Sequence, residues 1–205
     1  MCEIITPDNI NIVCNVSMAF FTGVAAYVAF KWKSSTLTKA KMDVAGEVLA
    51  GVLEIEDLFK FICSPSRNNT ERKSALKYYQ ERALPINTKR IDILIPLFRM
   101  EQNKDKFKIF FNLRNKVAIY WGEESIKSFD AIMKICQRIQ QACDTLYNQT
   151  ENTPVQQCQE CEQIIYGYEN SSVMMELNYT FETIRRNMNA VLGKRTKWQQ
   201  KRKIT

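Results

Sequence analysis

Uncharged, mainly apolar residues fill the chain between Asp8 and Lys31. A helix needs about 20 such residues to cross the hydrocarbon core of a bilayer. The run therefore predicts a transmembrane helix over residues 12–32, and a buried core helix is the alternative interpretation. The side chains expected to face lipid are Val16, Phe20, Phe21, Val24, Val28, Phe30 and Trp32.

Small residues within this predicted helix favour close packing against another helix. Ala19 and Gly23 are four positions apart, and Ala26 follows about one turn later. Such spacing lets two helix backbones approach each other in a membrane. Because small residues are common in membrane spans generally, a homo-oligomer is only a secondary expectation.

The charges that flank the run predict its orientation. Two acids and no base precede it, whereas Lys31, Lys33, Lys39 and Lys41 follow it before the next acid, Asp43. Positive charge stays on the cytoplasmic side of a membrane. We therefore expect residues 1–11 outside and the remaining chain inside, in a bacterial-type inner membrane. Five Asn-x-Ser/Thr sequons argue mildly for the opposite orientation, at Asn15, Asn68, Asn148, Asn170 and Asn178.

Apolar residues recur at three- and four-residue spacing through the rest of the chain, as in helices with one buried face. The first of these helices is expected to end near Cys63. The others are expected at about 70–84, 87–98, 107–121, 125–150, from Pro154 onwards and 171–192. Pro96 predicts a kink or a break within the helix at 87–98. Residues 117–121 fit either a helix or a strand, and Gly193 fits the last C-cap.

Three apolar stripes carry most of this pattern. They comprise Val44, Val48, Val52, Ile55, Leu58, Phe59 and Ile62; Phe129, Ile132, Cys136, Ile139, Cys143 and Leu146; and Val173, Leu177, Phe181, Ile184, Met188 and Val191. The prediction is an all-α protein: the transmembrane helix, a cytosolic bundle of about five helices over 33–193, and a basic tail over 194–205.

Composition removes several enzyme classes from consideration. The 205 residues include no histidine, which excludes a Ser-His-Asp triad, a Cys-His pair and an HExxH zinc site. No glycine-rich phosphate-binding motif is present, and the chain has six glycines. We therefore predict no catalytic residues and no cofactor.

The sequence Cys158-Gln159-Glu160-Cys161 is the one motif with metal or redox chemistry. A zinc site built on Cys143, Cys158 and Cys161 would need a carboxylate as its fourth ligand, because histidine is absent. The simpler interpretation is a pair of reduced cysteines one helical turn apart.

The formal charge of +7 is unevenly distributed along the chain. Residues 120–182 are acidic, and the segments before and after them are basic. A solvated terminus is the simplest interpretation of the basic tail, followed by contact with anionic lipid and then with nucleic acid. The residues that would make such contacts are Lys194, Arg195, Lys197, Trp198, Lys201, Arg202 and Lys203.

These patterns predict a membrane-anchored helical adaptor or regulatory protein. Its partners would be membrane lipids and a protein at the cytoplasmic face. The alternatives are a helical protein that binds nucleic acid through the basic tail and a histidine-free metal or thiol protein that uses Cys158 and Cys161.

Overall fold

The computed structural model describes residues 7–65, 68–82, 86–166 and 171–202, with side chains described from Asn15 to Gly193 within these ranges. Every element in the described ranges is helical, and they contain no strand. This confirms the all-α prediction. The α-helices are α1 (Pro7–Ile62), α2 (Asn69–Glu81), α3 (Ile95–Gln102), α4 (Lys104–Trp121), α5 (Lys127–Tyr147), α6 (Val155–Tyr166) and α7 (Ser172–Arg202).

Two short 3-10 helices complete the described elements, Ile91–Leu94 and Glu123–Ile126. Residues 1–43 and 44–205 form two compact units, and α1 contributes to both. The seven α-helices exceed the five or so that were expected for the bundle.

The core of the second unit forms between the end of α1 and helices α4 to α7. The three predicted stripes lie in this core, although Cys136 and Val191 are only partly buried. Phe59 of α1 contacts the ring of Phe107 edge-on and also packs near Phe181 of α7. These contacts join helices that lie far apart in the sequence, so the core depends on the tertiary fold.

α4 lies antiparallel to the last part of α1. Glu47 pairs with Lys116 at 2.6 Å, and Glu54 pairs with Lys106 at 3.2 Å. Between these pairs, a Cβ added to Gly51 would lie 3.1 Å from Cδ1 of Leu113. The absence of a side chain at Gly51 therefore permits the close approach of the two helices.

A smaller apolar cluster forms between α2, the first 3-10 helix and α3, where Ala75, Ile91, Leu94 and Phe98 are buried. The break predicted at Pro96 is present: the first 3-10 helix ends at Leu94 and α3 begins at Ile95, with Pro96 in its first turn. Proline is tolerated there, since the first N–H groups of a helix have no partner within that helix.

Two glycines differ in their position relative to a helix end: Gly122 follows the end of α4, whereas Gly193 lies within α7. Gly122 follows α4 with φ of 81°, a conformation that favours glycine, and residues 117–121 before it are helical. The C-cap predicted at Gly193 is wrong, because α7 continues to Arg202. Glycine lowers helix propensity but does not by itself end a helix.

Candidate functional site

The most unusual surface of the molecule is residues 15–32 of α1, which we call the apolar segment. Every side chain in it is exposed, including Phe20 at 67%. The exposed large apolar side chains of the segment are Val16, Met18, Phe20, Phe21, Val24, Tyr27, Val28, Phe30 and Trp32. They include all seven residues predicted to face lipid.

These side chains surround the helix axis. Each residue turns the helix by about 100°, so Val28 and Met18 point about 120° and 200° away from Val16. A helix that is apolar on all sides is normally covered by a protein core or by a membrane. No described part of this chain covers the segment, since all of these side chains are exposed.

The polar groups of the segment are few and partly satisfied within the helix. The hydroxyl of Thr22 donates a hydrogen bond to the carbonyl of Met18 at 2.7 Å. Such a bond lowers the cost of placing a hydroxyl in an apolar environment. At the other end, the ammonium of Lys31 lies 6.0 Å from the ring centre of Tyr27.

Within the described side chains, no helix has a stretch that is both long and apolar enough to cross a membrane. The transmembrane helix predicted over 12–32 therefore has no support from them. Asn15, Ser17 and Thr22 reduce the apolar character of the segment, and Lys31 and Lys33 limit its length. The side chains of residues 12–14 lie outside the described set.

The predicted helix-association residues lie on the exposed surface of the same segment. Ala19 and Ala26 are exposed, and a Cβ added to Gly23 would meet no atom within 4 Å. Their backbone is therefore accessible to an approaching helix, although the described chain supplies none.

Five described cysteines are free thiols, and four of them are buried. Burial raises the pKa of Cys63 to about 11 and that of Cys136 to about 12. The pKa of Cys143 is also raised, mainly by burial. A raised pKa leaves little of the reactive thiolate near neutral pH.

The metal candidates Cys143, Cys158 and Cys161 are all buried in the bundle core. Among the described side chains, no group of three or more Cys, Asp or Glu is arranged to hold a metal ion. The same residues therefore act as packed core side chains.

Arg99 of α3 forms the most connected polar cluster among the described residues of the bundle, and no pattern in the sequence predicts it. Its side chain is 3% exposed and binds both carboxylate oxygens of Glu71, at 2.6 and 2.8 Å. Its Nη1 also donates to the carbonyls of Phe61, Ile62 and Ser64. Arg99 thus satisfies carbonyl groups at the end of α1 and links α1, α2 and α3.

The seven predicted contact residues of the basic tail, Lys194 to Lys203, lie outside the described side chains. The backbone of residues 194–202 continues as helix α7. No family model matches the sequence, and no curated protein or solved structure is significantly similar to it.

Proposed function

We propose that the apolar segment anchors the protein in a membrane and that the helical bundle binds a protein partner at the cytoplasmic face. The exposure of large apolar side chains on all sides of residues 15–32 is the observation that supports this proposal. Burying one such side chain is favourable by about 1.5–3 kcal/mol. Nine such side chains are exposed on the apolar segment, so covering them with lipid would favour anchoring.

A helix that crosses the membrane requires more apolar residues than the apolar segment contains. The sequence is also apolar at Ile12, Val13 and Cys14, immediately before it. As a helix, residues 12–30 would extend about 28 Å, close to the thickness of the hydrocarbon core, about 30 Å. The exposed Lys31 and Lys33 would then lie among the cytoplasmic headgroups.

The exposed face of α7 supports the partner-binding part of the proposal. Met175 and Tyr179 are exposed large side chains four residues apart, and so are neighbours on the helix surface. Tyrosine and methionine are enriched at the centres of protein interfaces. We assign the partner contact to this pair.

Membrane extraction of the full chain tests the anchor. We expect the wild-type protein to remain in the membrane pellet after a carbonate wash. The double variant Phe20→Asp, Val24→Asp should be released, because a charged side chain at the bilayer centre costs about 3 kcal/mol.

The matched control carries the same substitutions on exposed residues of the bundle, Ile109→Asp and Ile119→Asp. It should remain in the pellet. Release of the wild-type protein by carbonate, or equal retention of all three proteins, would contradict the anchor.

Photo-crosslinking in membranes tests the partner surface. A crosslinking phenylalanine analogue at Tyr179 should give one discrete adduct, and Met175→Ser should reduce its yield. The same analogue at the exposed Ile119 is the control. Identical adducts from both positions would show that the contact is non-specific.

A further inference from the structure

An open basic cleft of about 320 Å³ lies beside the first part of α2. Arg72, Lys73 and Lys89 border it together with Thr88, and the partly exposed Leu76, with the buried Ile91 behind it, forms its apolar wall. The cleft belongs to the bundle. Its lining combines positive charge with an apolar wall.

The acids near this cleft are already paired with arginines. Glu71 binds Arg99 at 2.6 Å, and Asp92 lies 3.4 Å from Nε of Arg72. Within the described part of the chain, Lys73 and Lys89 form no side-chain hydrogen bond or ion pair. The cleft therefore presents two ammonium groups that nearby carboxylates leave unneutralised.

We propose that this cleft binds a phosphate group carried by a molecule with an apolar portion. Lysine ammonium groups bind phosphate as point charges, and the hydroxyl of Thr88 can donate a further hydrogen bond. Leu76, which is partly exposed, would contact the apolar portion. A soluble organic phosphate and a phospholipid headgroup share this chemistry.

Nuclear magnetic resonance titration of the full chain tests the site, in maltoside micelles because their headgroups carry no phosphate. Phenyl phosphate should shift the amide signals of Lys73, Thr88 and Lys89 in a saturable way and bind more tightly than inorganic phosphate. A second titration adds phosphatidate to the micelles, with diacylglycerol as the lipid that lacks the phosphate. Saturation by phenyl phosphate alone assigns a soluble ligand, and saturation by phosphatidate alone assigns a lipid.

The double variant Lys73→Gln, Lys89→Gln should bind the probe more weakly, with a Kd raised by about tenfold or more. Lys77→Gln, Lys127→Gln removes the same charge from two lysines that pair with Glu81 and Glu124, and should leave the Kd unchanged. Sodium chloride at matched ionic strength should produce no saturable shift. Equal Kd values in the two variants, or no saturable shift with either phosphate probe, would overturn the proposal.

Discussion

The two parts of α1 show how similar apolar content leads to opposite surroundings. In its last part, apolar residues such as Val48, Val52 and Phe59 form one stripe, and the bundle buries that stripe completely. In the apolar segment, large side chains point in all directions and all are exposed. A stripe can be covered by neighbouring helices, whereas a helix that is apolar all round needs a surrounding medium. The part of α1 in the folded core and the proposed anchor therefore differ in how their apolar side chains are distributed around the helix axis.

The sharpest comparison uses two phenylalanines of this same helix. Phe59 is 0% exposed and Phe20 is 67% exposed. Phe59→Ala should lower the free energy of unfolding by about 3–5 kcal/mol, because it removes core contacts and leaves a cavity. Phe20→Ala should change it by less than about 0.5 kcal/mol. Chemical denaturation of the full chain in micelles measures both, and equal losses would contradict the division of α1.

The Arg99 cluster should matter almost as much to the bundle. Arg99→Met removes the partner of Glu71 and of three carbonyl groups, so we expect a loss of about 3 kcal/mol in the free energy of unfolding. Lys116→Met breaks the exposed pair with Glu47 and should cost less than about 1 kcal/mol. Membrane retention of both variants should be unchanged. A loss for Arg99→Met no larger than for Lys116→Met would show that the cluster contributes little.

Glycine substitutions give a smaller effect of opposite sign at two positions. Gly46→Ala meets no atom within 4 Å and should raise the free energy of unfolding by up to about 1 kcal/mol through helix propensity. Gly51→Ala would place its Cβ 3.1 Å from Leu113 and 3.3 Å from Phe110, so it should lower stability by about 1 kcal/mol. Thermal midpoints measure the difference. Equal stabilisation by both alanines would mean that α1 and α4 are less closely packed than described.

The smallest predicted effect concerns the stability of the bundle at low pH, through the carboxylate of Glu56. Burial raises the pKa of Glu56, but hydrogen bonds from Lys60 and Arg185 outweigh it and bring the pKa below its ordinary value of 4.5. A lowered pKa in the folded state stabilises the protein at higher pH, and this contribution is lost as the pH falls through that pKa. Between about pH 5 and about pH 3, the free energy of unfolding should therefore fall less steeply in Glu56→Gln. Parallel curves for the two proteins would contradict this assignment.

The all-helical fold and the buried helix faces could be predicted from the sequence, because both depend on the spacing of apolar residues within one helix. The apolar stripe of α5, for example, follows from the period of the helix and needs no knowledge of its neighbours. Residues 117–121 were ambiguous because a short apolar run fits both a helix and a strand. The structure places them in α4, where Val117 packs in the core.

The remaining features depend on contacts between distant segments or on the position of a residue within its helix. Arg99 binds Glu71 and the carbonyl of Phe61, which lie 28 and 38 residues earlier, and no local pattern marks such a cluster. The effects of Pro96 and Gly193 depend on whether they occur at the start, in the middle or at the end of a helix, and of the two predictions only the C-cap at Gly193 is wrong. The first lies in the opening turn of α3, and the second lies within α7.

Solvent accessibility in native membranes tests the anchor most directly, using Phe20→Cys and Ile109→Cys. Their parent side chains are almost equally exposed in the protein, at 67% and 64%. Any difference in their labelling must therefore come from what surrounds the protein. Membranes opened by sonication are treated with a membrane-impermeant maleimide, after Cys2, Cys14 and the partly buried Cys136 are replaced by serine. Labelling of this parent protein without an added cysteine is subtracted, because its four buried thiols react once the protein is unfolded. We expect rapid labelling at position 109 and slow labelling at position 20 until the protein is unfolded in detergent. Equal rates at the two positions would contradict the account.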